Sequence, residues 1–243
     1  MRHFRIKIAN QSFEVNAGYK GTSAWCHDFI TDEQPDSVIS MTQQDVLLEK
    51  VYFLNNQTNG SPSGSYLEFM ALFRKISEII IDYSTLLMHG AAIGINGVSY
   101  IFTAPSGTGK TTHILKWLEH CPDAFVINGD KPFLKFNNDC TVLVCGSPWA
   151  GKERMYTNSA IPLKSIILME RAEENKIEKI DYTDAFPFLF QQIYHSENEE
   201  KMYRTLQMLQ SLQGDIGFYR FYCNNFKDDC FDVAYQTLME EGE

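Results

Sequence analysis

The sequence predicts an α/β protein in which a mixed β-sheet carries flanking helices. Three observations predict it. Asn96-Gly97 separates two apolar runs, residues 89–95 and 98–103, as a two-residue hairpin turn does because both turn positions need positive φ. A glycine-rich stretch, TAPSGTGKTT over residues 103–112, follows the second run and leads into a helical segment. Beyond it, short apolar runs alternate with segments of helical periodicity.

The elements follow in order. Residues 4–15 alternate as a pair of strands, and residues 38–41 and 46–54 predict further strands. The polar run NNQTNGSPSG, residues 55–64, reads as a linker. A helix is expected from Ser65, with Glu68 completing a capping box, and Phe69, Leu72, Phe73, Ile76, Ile79, Ile80 and Tyr83 form its core-facing stripe. This divides the chain into a small β-rich N-terminal lobe, residues 1–64, and a core, residues 65–243.

In the hairpin, a two-residue turn sets Ile95 against Val98 and therefore His89 opposite Ala104, beside the glycine-rich loop. A helix is expected over residues 112–119 and a strand over 124–127, ending in Asn128-Gly129-Asp130-Lys131-Pro132. Another strand, 140–145, leads into Gly146-Ser-Pro-Trp-Ala-Gly-Lys152-Glu-Arg154. Strands at 163–169 and 177–180, helices at 183–194 and 201–213, a strand at 218–223 and a helix at 227–239 complete the reading. Asn175-Lys-Ile-Glu178 mimics a guanine-reading motif but ends in Glu, and is assigned to a hairpin turn. His113, His120 and His195 are assigned to the surface or to packing.

Composition bounds the function. With 44% hydrophobic and 21% charged residues the chain can bury an ordinary globular core. A net charge of −10 without a basic stripe argues against a duplex nucleic-acid partner. The six cysteines form no CxxC pair and lie near no histidine at zinc-site spacing, so they read as reduced, mostly buried thiols. The N-terminus alternates charged and apolar residues, unlike a signal peptide, and the apolar runs are too short for a membrane span. The expectation is a soluble, cytoplasmic protein.

The chemistry concentrates in residues 104–111, which fit Ala/Gly, four residues, then Gly-Lys-Ser/Thr: the Walker A phosphate-binding loop, or P-loop. Gly107 and Gly109 let the backbone curl so that amides of Pro105-Ser106-Gly107-Thr108-Gly109-Lys110-Thr111-Thr112 surround phosphate oxygens; proline, lacking an N–H, contributes shape alone. Lys110 reaches the β- and γ-phosphates and Thr111 offers its hydroxyl to Mg²⁺. The following helix points its positive end at the same place. Such a loop needs a carboxylate on a neighbouring strand; Asp130 is the candidate metal ligand or acid–base group, with Glu170 a competitor at the end of another strand. Lys152 and Arg154 either neutralise charge on the γ-phosphate or an anionic acceptor, with Trp149 as a wall, or belong to an exposed loop with Trp149 in the core.

Residues 87–134, with MHGAAIGINGVSYIFTAPSGTGKTT and FVINGDKPFL, resemble the catalytic core shared by bacterial HPr kinase/phosphorylases and ATP-dependent phosphoenolpyruvate carboxykinases. The resemblance implies that P-loop fold, ATP with Mg²⁺ or Mn²⁺, and transfer of the γ-phosphoryl group to a hydroxyl of a peptide, protein or small molecule. It places His89 as a metal-binding or catalytic histidine and favours the functional reading of Lys152 and Arg154. Those families carry Asp-Asp where this chain has Gly129-Asp130. The second acid matches a metal ligand; the first, which activates the attacking hydroxyl, is missing, leaving proton removal to Asp130 or a residue elsewhere. No basic cluster for an oxaloacetate site is evident, and the N-terminal domain of the HPr kinases is not recognisable in residues 1–85. The expectation is a stand-alone HPr-kinase-related kinase, compatible with a homo-oligomer. The alternative is a nucleotide-sensing or ATP-hydrolysing regulator using the same pocket.

Overall fold

The structure is a computed structural model that describes residues 2–56 and 61–240. The middle of the linker expected at residues 55–64 lies outside the described residues. Contacts divide the chain into two units, Met1–Tyr83 and Ser84–Glu243. The helix following the linker therefore falls in the first unit, whereas the sequence reading begins its second part at residue 65.

In the first unit, β1 (His3–Ile8) and β2 (Gln11–Asn16) pair antiparallel, and β3 (Ser37–Ser40) adds parallel to β2. Phe4, Ile6, Ile8, Phe13 and Val15 alternate inward and are buried, as the period of two requires. Between the sheet strands lies the short α1 (Thr22–Trp25); after them come α2 (Gln43–Asn56) and α3 (Gly64–Ile79).

Helix α2 corrects the strand expected over residues 46–54. Its start is a reciprocal cap: Thr42 N donates to Asp45 Oδ2 at 2.8 Å, and Asp45 N donates to Thr42 Oγ1 at 3.2 Å. Val46 and Glu49 face inward, Glu49 forming a two-point ion pair with Arg74 of α3. That spacing is helical.

The capping box expected at Ser65 and Glu68 is also corrected. Ser63 caps α3, accepting from Tyr66 N. Glu68 is instead only 1% exposed and accepts from Gly18 N at 2.6 Å, Tyr19 N at 3.1 Å and the Thr22 hydroxyl. Replacing Glu68 with alanine strands these donors and is expected to destabilise the first unit by about 3 kcal/mol. Denaturant unfolding of Glu68→Ala within about 0.5 kcal/mol of the parent would contradict this role.

The second unit is mixed α/β. It opens with β4 (Thr85–Leu87), β5 (Ala91–Ile95), β6 (Val98–Thr103), α4 (Lys110–His120), β7 (Phe125–Asn128), β8 (Phe133–Phe136) and β9 (Val142–Cys145). The long β10 (Ala160–Arg171) follows, then β11 (Lys176–Lys179), α5 (Tyr182–Gln192), α6 (Glu199–Gln210), β12 (Gly217–Cys223) and α7 (Cys230–Glu240). Strand β10 joins two sets of strands. Its start pairs antiparallel with β9, which continues through β8 to β4; its remainder lies parallel to β6 on one side and β12 on the other. Strands β5 and β7 extend the sheet beyond β6. Strand β11 pairs antiparallel with β12, so β12 separates β10 from β11. Asn175 thus sits in a connection across a strand rather than in a hairpin turn.

The Asn96-Gly97 hairpin has the expected register, Ile95 opposite Val98 and Ala91 opposite Phe102, with both turn residues at positive φ (51° and 79°). Its core side packs against α4 and α7 through Tyr100, Phe102, Trp117, Phe221 and Phe231. Trp117, fully buried, lies 6.2 Å from Tyr100 and 5.3 Å from Phe231 between ring centroids. Among the described residues no helix is long and apolar enough to cross a membrane.

Candidate functional site

The parallel strands β6, β10 and β12 end on one side of the sheet, where open α/β sheets form ligand crevices. After Thr103 the chain curls through the glycine-rich loop into α4. Gly107 has φ 81° and Gly109 φ 113°, both in the region that side chains disfavour. At Gly109 a Cβ would also crowd the Asn225 side-chain amide, which would have to give way. Asn225 Nδ2 donates to Gly109 O at 3.1 Å, and His113 N donates to the same oxygen at 3.0 Å, starting the helix.

Lys110 folds back under the loop. Its Nζ donates to Ala104 O at 2.9 Å and Pro105 O at 3.5 Å. Burial lowers its pKa, opposed by the negative charge of Asp130. The helix N-terminus, the curled amides and this ammonium together favour an anion.

Asp130 faces the loop. Strand β7 delivers it, and Asn128 fixes the turn: its Oδ1 accepts from Asp130 N at 2.9 Å and Lys131 N at 2.6 Å, while its Nδ2 donates to Ser147. Asp130 Oδ1 lies 3.4 Å from His89 Nε2, and Oδ2 is paired with the Lys131 ammonium. Burial pushes the carboxyl upward, but the His89 hydrogen bond and the Lys131 charge prevail and hold it at about 2. Gly151, at φ 75°, comes close behind: a Cβ there would lie 3.2 Å from Asp130 Cβ.

His89 is placed by the hairpin and by α5. Thr103 Oγ1 donates to His89 O at 2.7 Å, His89 N donates to Gln192 O at 2.6 Å, and His89 Nδ1 lies 3.1 Å from Gln192 Oε1. Nε2 faces the Asp130 carboxylate and supplies that hydrogen bond as an N–H donor, while Nδ1 faces Gln192. Imidazole, carboxylate and the Thr111 hydroxyl are together a donor set suited to a divalent metal.

One cleft of 450 Å³ gathers most of the sequence-derived residues. The loop and helix contribute Ser106, Gly107, Gly109, Lys110, Thr111 and Thr112, and Asp130 and Lys152 line it too. Glu153, which sequence reasoning passed over, is in the same lining. A second cleft of 550 Å³ shares Gly107, Gly109 and Thr112 and continues along the ends of β10 and β12 to Asn224, Asn225 and Phe226. Thr108 lines this second cleft, its hydroxyl donating to Pro105 O at 2.9 Å.

Pro105 and His89 support the loop and Asp130 without being among the lining residues. Arg154, exposed in a turn at φ 51°, is not among them either. Trp149 is buried, 3% exposed. Glu170 pairs with Arg220 on β12 at 3.4 Å. Its neighbour Arg171 instead donates to Gly107 O. Leu168 pairs with Thr103, the last residue of β6, so Arg171 arrives level with the loop. Adjacent strand residues point to opposite faces, and that alternation was the available signal. For Gln192 and Asn225 the sequence offers no comparable signal.

Compared with known proteins, the sequence matches no family model and no curated protein. Among solved structures, the Hpr(Ser) kinase/phosphatase from Coxiella burnetii is similar at 9% identity, over 64% of this chain and 92% of that one, with a TM-score of 0.40.

Proposed function

We propose that the chain is an ATP-dependent phosphotransferase of the HPr-kinase-like kind, passing the γ-phosphoryl group to a hydroxyl of a peptide, protein or small molecule. The observation that carries this reading is that Lys110 and Asp130 line one cleft over the curl at Gly107 and Gly109. A cation-bearing anion nest facing an ionised carboxylate is what phosphoryl transfer requires, because its catalysis is mostly positioning and charge stabilisation.

The triphosphate occupies the 450 Å³ cleft, and the nucleoside extends into the adjoining 550 Å³ cleft. There the fully exposed ring of Phe226 and the amides of Asn224 and Asn225 offer a stacking face and polar contacts to a base. Thr111, Asp130 and His89 would hold Mg²⁺ or Mn²⁺, which supplies charge neutralisation on the phosphates when bound. Lys110 draws negative charge from the transferring group, and Lys152 adds a second cation on the same cleft. Gly129 leaves the position of the first acid without a carboxylate. Glu153 lines the cleft and supplies a second carboxylate to take the acceptor's proton.

The alternative, a nucleotide-sensing or ATP-hydrolysing regulator, draws on that same Gly129. Incubation of the protein with γ-labelled ATP and the proteins and peptides encoded beside its gene separates the two. Label on an acceptor is expected. Label released only as free phosphate would support the regulator, and absence of Mg-ATP binding would remove both.

A further inference from the structure

Cys223 ends β12, Cys230 opens α7, and His113 comes from α4 two residues beyond the proposed metal-binding Thr111. All three are buried, at 4%, 0% and 0% exposed. Cys223 Sγ and Cys230 Sγ are 3.3 Å apart, and Cys230 Sγ is 3.6 Å from His113 Nδ1. Asn225 Oδ1 lies 3.3 Å from each sulfur.

Two sulfurs and an imidazole this close can hold a metal ion or act as a redox pair, and the histidine decides between them. Trp117 Nε1 is 3.0 Å from His113 Nε2. An indole N–H only donates, so His113 Nε2 must accept and the ring proton resides on Nδ1. The nitrogen facing Cys230 therefore presents N–H, not a lone pair, and neither ring nitrogen is free to ligate. An N–H aimed at sulfur suits a thiolate instead. Cys230 is also the first residue of an eleven-residue helix, where the helix dipole favours negative charge. The hydrogen bond from Cys223, opposed by burial and reinforced by His113, holds the Cys230 thiol below the usual thiol range.

We propose that Cys223 and Cys230 are a redox-active dithiol, converted reversibly to a disulfide by hydrogen peroxide beside the glycine-rich loop. Cys223 lines the 550 Å³ cleft, so peroxide approaches the pair from that side. The Cys230 thiolate attacks one peroxide oxygen; the O–O bond breaks, hydroxide leaves, and Cys230 becomes a sulfenic acid. The Cys223 sulfur then attacks the Cys230 sulfur, the S–O bond breaks and its proton leaves with the oxygen as water. The hydroxide takes up the proton Cys230 lost on ionising. Two thiols and one peroxide thus give one disulfide and two waters, with two electrons passing to the peroxide. A disulfide requires the sulfurs to close from 3.3 Å to about 2.05 Å, and the six residues between the cysteines include Asn225.

The bridge acts on the loop through Asn225. Its Oδ1 lies 3.3 Å from both sulfurs and is displaced as they close, while its Nδ2 is the group that holds Gly109 O. Weakening that one contact lowers Mg-ATP affinity about threefold to tenfold.

The test treats the full chain with hydrogen peroxide, then maps peptides by mass spectrometry under non-reducing conditions. A Cys223–Cys230 cross-linked species lacking two hydrogens, reversed by dithiothreitol, is expected. Cys223→Ser and Cys230→Ser, checked for folding by thermal melting, should each abolish it. Both cysteines recovered as free thiols, or oxidised independently without a bridge, would overturn the proposal. Mg-ATP titration of reduced and bridged protein reads the coupling, and equal affinities would sever the link through Asn225. This last reading rests on the proposed nucleotide site. Reduced protein that binds no Mg-ATP sinks that site, while the peptide map still judges the bridge.

Discussion

Lys110→Ala is expected to abolish measurable Mg-ATP binding in titration calorimetry while the protein still melts cooperatively. The side chain is only 8% exposed, and its ammonium is held by Ala104 O and Pro105 O at the base of the curl. Those carbonyls keep the charge satisfied when no anion is present and leave it preorganised for one that arrives. Truncation removes a cation from the nest and with it about 2–5 kcal/mol of binding. Ala104 is fully buried, so losing the ammonium also costs some stability, and the melting curve checks that the variant still folds. Unchanged affinity would mean that residues 104–111 do not hold a nucleotide's phosphates, and the proposed function would go with them.

Asp130→Asn is expected to leave nucleotide binding measurable and to lower phosphoryl transfer by roughly 10²–10³-fold. The amide preserves size but removes the charge that faces His89 and Lys131. The substitution also predicts a change in pH dependence. The folded carboxyl, at about 2, lies below its ordinary value of 3.8. Its stabilising contribution is therefore fully present above about pH 4 and is lost as the pH falls through 2, amounting to about 2 kcal/mol at neutrality. The Asn variant should lack that part of the acid transition, and urea unfolding at pH 7 and at acid pH reads the difference. Normal transfer by the variant would reduce Asp130 to a turn residue.

Much of the local architecture was legible. Positive φ at Asn96, Gly97, Gly107 and Gly109 is written into residue type, because asparagine and glycine alone tolerate it cheaply. From the turn, the His89 register followed by counting. The misread helix α2 was legible too: Thr42-Gln-Gln-Asp45 is a capping signal, but a dense apolar run masked the helical period that buries Val46 and Glu49. Capping at α3 failed in the opposite way. Serines at 63 and 65 both fit, and Glu68 was claimed by the distant backbone of residues 18–19.

The sequence by itself determined the curl, the lysine and threonine that follow it, and a carboxylate after the next strand. Each depends on a few adjacent residues, whose dihedral preferences and hydrogen-bonding groups act locally. Only the tertiary structure decided which distant groups attend them: Gln192 on His89, Arg171 on Gly107, Asn225 on Gly109, and His113 with Cys223 and Cys230. Those partners are brought in by strand order, with β12 lying beside β10 and β10 beside β6. That order is settled by burial of whole faces at once, and no spacing along the chain records it.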